Sequence, residues 1–254
     1  MTAATFIKRS RSTDPHFFEI EAAGLRWLAA AGPGAARTVG VVDVSPEQIV
    51  LERVTSARPT RQAAEAFGRA LAVTHAAGAE AFGSPPTGWR GDGYIGRQAM
   101  IMRPTPTWGR FYAEQRMLPY ARRAREVGNL GRTGTELVER VAVRLLAGDF
   151  DDSRPPARIH GDLWSGNVIF TTEGVVLIDP AAHGGHGLTD LAMLHLFGAP
   201  ELDAITASYV AAAYLDGDWP DLIGLHQLHP LLVHAVSHGP SYGSAAEHTA
   251  ARYA

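Results

Sequence analysis

Cysteine is absent from this 254-residue chain, which excludes disulfides and thiolate chemistry. Long apolar runs are also missing: none reaches the roughly 18 residues that argue for a membrane span. Between Met1 and Arg11 no apolar stretch has signal-peptide length. Charge of one sign is not in excess, since 23 Lys and Arg stand against 26 Asp and Glu, mixed along the chain. That balance builds no basic face for nucleic acid. These absences leave a soluble cytoplasmic protein, bound to neither nucleic acid nor membrane, as the expectation. Histidine is plentiful at 11 residues, some crowded toward the C-terminus. It has no Cys partner and no His-Glu-x-x-His pattern, so zinc is not indicated. A metal hydrolase would need three histidines to converge. Internal repeats and low-complexity tails are lacking, and nothing in the sequence sets an oligomeric state.

What is present suits a small lobe followed by a larger one. Thr5–Lys8 reads as a short strand. Asp14-Pro15 reads as a helix start, an N-cap acceptor followed by proline. Phe17, Phe18, Ile20, Leu25, Trp27 and Leu28 then recur at helical spacing. Gly32-Pro33-Gly34 ends that helix, and strands follow near Val39–Val44 and Gln48–Val54. Residues 1–54 are expected to form a reduced strand-plus-helix N-lobe and 55–254 a larger helical C-lobe, an α+β chain. In the C-lobe, Thr60 caps a helix running to about Ala77, with Phe67, Leu71 and Thr74 on one side. A loop rich in Gly, Pro and Trp covers roughly Gly78 to Pro104. Thr105-Pro106 opens a second long helix, and Thr135 a third ending near Gly148. A strand-rich insert lies at about Arg158 to Ile178. Helices resume near Leu188, with breaks at Pro200, Pro220 and Pro230.

The insert carries the chemistry. It reads His160-Gly161-Asp162-Leu163-Trp164-Ser165-Gly166-Asn167, then Val168–Phe170, then Val175–Ile178 and Asp179. The two apolar runs are β-prone, and Thr171 to Gly174 between them is turn material, so a hairpin is predicted. Asn167 enters it and Asp179 leaves it, which brings the two side by side. An amide oxygen beside a carboxylate suits a hard cation such as Mg²⁺. Asp162 lies five residues before Asn167 and can face the same pocket, where a carboxylate can orient a hydroxyl and accept its proton. Phosphoryl transfer needs this set, and His-x-Asp-x-x-x-x-Asn is the spacing of the protein-kinase catalytic loop. Singly these residues read as turn or helix caps; together they point to a kinase. His160 is expected to pack and hydrogen-bond so as to shape the loop.

His-Gly-Asp-Leu-Trp-Ser-Gly-Asn, followed by Ile178-Asp179-Pro180-Ala181 and Asp190-Leu191-Ala192-Met193, resembles the fructosamine kinase (ketosamine 3-kinase) family, kin to aminoglycoside phosphotransferases and choline kinases. The likeness extends to Phe18–Leu25, to Trp108–Tyr112 with Arg116, and to Leu228–Val236. It implies a protein-kinase-like two-lobe fold and transfer of the ATP γ-phosphoryl to a hydroxyl of a sugar-amine small molecule. It implies Asp162 as catalytic base and Asn167 and Asp179 as Mg²⁺ ligands. Lys8 would contact the α- and β-phosphates, with Glu21 as its partner. Glu52 to Val54 would form the hinge that meets adenine. Two departures stand out. Only seven residues precede Lys8, so the glycine-rich strand–turn–strand that usually covers the phosphates is not in this sequence. After Asp179, Ala182–Thr189 replaces a Tyr-rich turn and an Asp-Arg-Glu run. His183 and His186 there either contact substrate or are ordinary loop residues. Trp164 and Trp108 either stack on a sugar or pack in the core. The rival readings are a non-catalytic kinase-like binding protein and a kinase for an aminoglycoside, choline or amino sugar. Acidic clusters in the acceptor pocket would favour the aminoglycoside.

Overall fold

The structure is a computed structural model and describes residues 4–9, 14–215 and 217–254. Met1–Ala3 and Ser10–Arg11, part of the segment read for a signal sequence, lie outside the described residues.

Strand β1 (Thr5–Arg9) leads to helix α1 (Phe17–Ala29), then to β2 (Arg37–Thr38), β3 (Val41–Val44) and β4 (Gln48–Glu52). β4 is the middle strand of an antiparallel sheet, flanked by β1 and β3. Its alternation turns Ile49 and Leu51 inward onto Phe18, Ala22 and Leu25 of α1. Burying each such Leu, Ile or Phe contributes about 1.5–3 kcal/mol. α1 starts later than Asp14-Pro15 suggests. The Asp14 carboxylate takes the His16 N–H at 2.8 Å and the Tyr94 hydroxyl, so it holds a turn before the helix rather than capping it. The strand expected over Val39–Val44 is split. Arg37–Thr38 pairs in parallel with Val176–Leu177, and Val39 N–H reaches Leu177 O at 2.9 Å. The segment expected as the N-lobe is thereby hydrogen-bonded to the segment expected as a hairpin.

Helix α2 (Arg61–Ala76) is capped by Thr60, whose hydroxyl accepts from Ala63 N–H at 3.2 Å, as its sequence predicts. The expected loop after it contains a hairpin, β5 (Gly93–Ile95) with β6 (Gln98–Met100). Thr107, not Thr105, caps α3 (Trp108–Phe111), which runs through a π-helical stretch, Tyr112–Met117, into α4 (Leu118–Glu126). Thr105 instead donates its hydroxyl to Arg103 O. α5 (Arg132–Ala147) begins ahead of Thr135 and ends at left-handed Gly148. Strands β7 (Ala157–Ile159), β8 (Val168–Thr171), β9 (Gly174–Leu177) and β10 (His183–Gly185) form the insert and its exit. Helices α6 (Gly187–Phe197), α7 (Leu202–Ala213), α8 (Trp219–His238) and α9 (Pro240–Ala250) complete the chain.

Pro230 does not break α8. A proline there removes the N–H that would reach His226 O and displaces the neighbouring bond to Leu225 O. The buried Tyr112 hydroxyl lies 2.9 Å from both carbonyls and accepts the His229 N–H at 3.1 Å. One side chain thus satisfies the gap. Among the described residues no helix is long and apolar enough to cross a membrane.

Candidate active site

The β8–β9 hairpin forms as its apolar runs predict, with Val168 opposite Leu177 and Thr171 opposite Gly174. Ile178 N–H then bonds Asn167 O at 3.2 Å, which clamps the two ends together. Asn167 is buried, and its Nδ2 donates to Asp162 O at 2.8 Å and lies 3.4 Å from Asp162 Oδ2. That commits the amide nitrogen and leaves Oδ1 as the available oxygen. Asp179 follows at φ 53°, a left-handed conformation that a residue other than glycine rarely adopts and that concentrates at functional sites.

Lys8 crosses from β1 and bonds both Glu21 oxygens and Asp179 Oδ1, each at 2.9 Å. Burial alone would lower the lysine's pKa; Glu21 and Asp179 outweigh it and hold it above its usual value. Burial, reinforced by Asp179, raises the pKa of Glu21 despite Lys8. Asp162 sits at the junction with its pKa pushed up to about 6, first by burial and then by Asp179 and Asp190, while Asn167 opposes. A carboxyl poised near neutrality suits a general base.

Three cavities meet at these residues. The first, about 280 Å³, is lined by Lys8, Glu21, Asp162, Asn167 and Asp179. Lys8 and Asp179 also line a second, of about 420 Å³, whose walls include Phe6, Val39, Glu52 and Val54. Asp162 and Trp164 also line a third, of about 690 Å³, with Phe197, His234 and Tyr242 beyond them. Trp164 is 43% exposed, and its ring lies against Gly166, where any Cβ would collide with it. Asp162 therefore stands between the first and third spaces, and the first adjoins the second through Lys8 and Asp179.

Two residues proposed for substrate contact lie elsewhere. Trp108 is only 5% exposed, stacked on Tyr112 and His226 in the helical core. His183 is buried on β10, its Nδ1 2.7 Å from Ala181 O and its ring against Phe111, so burial pushes its pKa down to about 3. Both are packing residues. His186 is buried too and bonds Asp152 at 2.9 Å.

No role for Asp190 follows from the sequence alone. This buried carboxylate on α6 accepts the backbone N–H of His160 at 2.7 Å and of Gly161 at 2.8 Å. His75 Nε2 reaches it at 3.1 Å, and Tyr209 holds His75 Nδ1 at 2.7 Å. Its signal was a lone acid in the apolar run Leu188–Leu194. Gly161 is left-handed at φ 80°, and a Cβ there would strike Ala181 O. His160 accepts from Asp162 N–H at 3.3 Å through Nδ1, so Nε2 donates to Ile178 O at 2.8 Å. It shapes the loop, as expected.

The profile of the fructosamine kinase family matches residues 2–253. The chain belongs to the fructosamine kinase family. A Synechocystis protein named as a ketoamine kinase is 34% identical over 204 residues, 76% of this chain. This fructosamine kinase family chain spans 64% of that relative's length. A crystal structure assigned as a fructosamine-3-kinase from Thermobifida fusca is 44% identical, with TM-score 0.90 over 99% of this chain and 85% of that one. A Plasmodium vivax ethanolamine kinase, 12% identical, superposes with TM-score 0.59 over 98% of this chain and 76% of that one. At that identity the likeness shows the protein-kinase-like fold alone.

Proposed function

We propose that this chain transfers the γ-phosphoryl of ATP to a hydroxyl of a ketoamine-type sugar amine. The observation that carries the reading is Asp162, at once beside Asn167 and Asp179 and on the wall of the large third cavity. The second cavity takes the nucleotide in this reading, with a backbone carbonyl and N–H of Glu52 to Val54 meeting the adenine edge. Lys8 donates to the phosphates, and Glu21 keeps its ammonium in place. In the third cavity the acceptor hydroxyl meets Asp162. Asp162 takes the hydroxyl proton as the oxygen bonds to the γ-phosphorus; the bond to the β–γ bridging oxygen breaks and ADP leaves.

The donor set fits a hard divalent cation. Asn167 Oδ1 and the Asp179 carboxylate would hold Mg²⁺, and phosphate oxygens and water would complete its shell. Among the described residues no group of three or more His, Asp or Glu is placed to hold a metal alone. A bound ion would neutralise charge on the phosphate oxygens. The third cavity has no carboxylate but Asp162 among the described residues, which argues against a polycationic aminoglycoside as acceptor.

A phosphotransfer assay on a panel of glycated amines tests the reading. Asp162→Asn is expected to lower kcat by about 10²–10⁴-fold while Mg-ATP still binds by calorimetry. Absence of turnover with every acceptor, together with absence of Mg-ATP binding by the unaltered protein, would favour a non-catalytic binding role.

A further inference from the structure

The third cavity has a charge pattern that the transfer chemistry does not use. At about 690 Å³ it is within the range of roughly 300–1,000 Å³ typical of small-molecule sites. One wall is built of rings. Phe197 lies 4.8 Å from His234, and His234 lies 4.8 Å from His238 and 5.0 Å from Tyr242. His234 donates Nδ1–H to Pro230 O at 2.8 Å, and burial, which outweighs that bond, lowers its pKa and favours the neutral ring.

Opposite Asp162 in charge stands Arg97. It occupies the two-residue turn Gly96–Arg97, between β5 and β6. Among the described residues this guanidinium has no hydrogen-bond, ion-pair or ring partner, although most other arginines of the chain have one. The turn is anchored on several sides. Gln98 Nε2 donates to Val233 O at 3.0 Å; Tyr120 and Arg123 both donate to Ala99 O at 3.1 Å. Tyr94 on β5 bonds Asp14. This anchored turn thus presents one unpaired cation to a cavity whose only acid among the described residues is Asp162. A planar five-donor fork of this kind matches a carboxylate.

We infer that Arg97 is a specificity-determining residue that binds a carboxylate on the acceptor, so that the acceptor is a ketoamine of a free amino acid. This rests on the ketoamine reading above. Such a molecule carries a hydroxyl for Asp162 at one end and an anion for Arg97 at the other. A ketoamine on a protein lysine has no carboxylate at that place.

The test compares two acceptors, the ketoamine of glycine and that of glycinamide, with the wild type, Arg97→Gln and Arg97→Lys. The wild type is expected to favour the acid by roughly tenfold in kcat/KM, through KM, the scale of one charge-assisted contact. Arg97→Gln brings the acid-to-amide ratio near one, and Arg97→Lys leaves it intermediate. A ratio near one in the wild type, or an unchanged ratio in Arg97→Gln, overturns the inference while leaving the ketoamine reading intact. Phosphorylation of neither acceptor overturns that reading and this inference with it. The wild-type comparison needs no variant, so the outcome does not depend on a variant's folding.

Discussion

Asp190 lines none of the three cavities at the candidate site, yet it fixes the loop on which Asp162 rides. Burial pushes its carboxyl upward, but hydrogen bonding and charge from His75, with His160 beside it, hold it below the usual carboxylate range. Three donors converge on its two oxygens. Asp190→Ala would orphan all three in an apolar surround, where each unsatisfied group costs about 1–3 kcal/mol. A loss of about 3–5 kcal/mol is expected, read as a lower urea midpoint. Asp190→Asn retains the shape and one acceptor oxygen but turns an NH₂ toward an N–H. It is expected to fold, with kcat reduced about tenfold or more and KM for ATP changed less, because the nucleotide contacts proposed for Lys8 and Val54 lie on other elements. An equal effect on both constants would mean that Asp190 supports the whole site rather than the loop.

At the scale of the element, α8 shows how a local rule is overruled from a distance. Pro230 reads as a break because it lacks an N–H and crowds the preceding turn. The partner that rescues it, Tyr112, is 118 residues away and comes from a π-helical stretch with no mark in the sequence. The same reason explains Trp108 and His183. Their neighbours, His226 for one and Phe111 for the other, arrive from elements far along the chain. By contrast, Thr60 and the β8–β9 hairpin were legible because cap and turn are settled within four or five residues. The rescue can be measured. Tyr112→Phe is expected to cost about 2–4 kcal/mol, since two carbonyls and one N–H lose their partner. Pro230→Ala restores an N–H for His226 O and so recovers about 1 kcal/mol or more in that background, while doing little alone. A double-mutant cycle by chemical denaturation checks this, and simple additivity would contradict it.

Across the whole molecule, the proposed transfer centre was readable because Asp162, Asn167 and Asp179 lie within one short stretch. Lys8 with Glu21 needed the family likeness, and the tie between β2 and β9 was hidden, being a two-residue parallel pairing across the chain. Also unreadable was the fate of the histidines, which composition only counts. His160, His183, His226 and His229 are all buried, and burial is the first cause that lowers each pKa. A base whose folded pKa is depressed stabilises the protein fully above its unfolded pKa, near 6.5, and loses that contribution as pH falls. Each such histidine then costs up to about 1.4 kcal/mol per pH unit. Asp162 has the opposite sign: its pKa, raised to about 6, favours the folded state as pH falls from 6 toward 4 and offsets roughly one histidine. Asp190, with a depressed pKa, loses its contribution only below about pH 4. The balance is a loss of a few kcal/mol per unit between pH 6.5 and 5, against a total stability of about 5–15 kcal/mol for a typical protein. Melting followed by circular dichroism should therefore show Tm falling steeply over that range. His229→Phe, which removes one titrating base whose Nε2 has no hydrogen-bond partner among the described residues, should flatten the fall. A Tm that stays level from pH 7.5 to 5.5 would mean that these rings are protonated at no cost, against their burial.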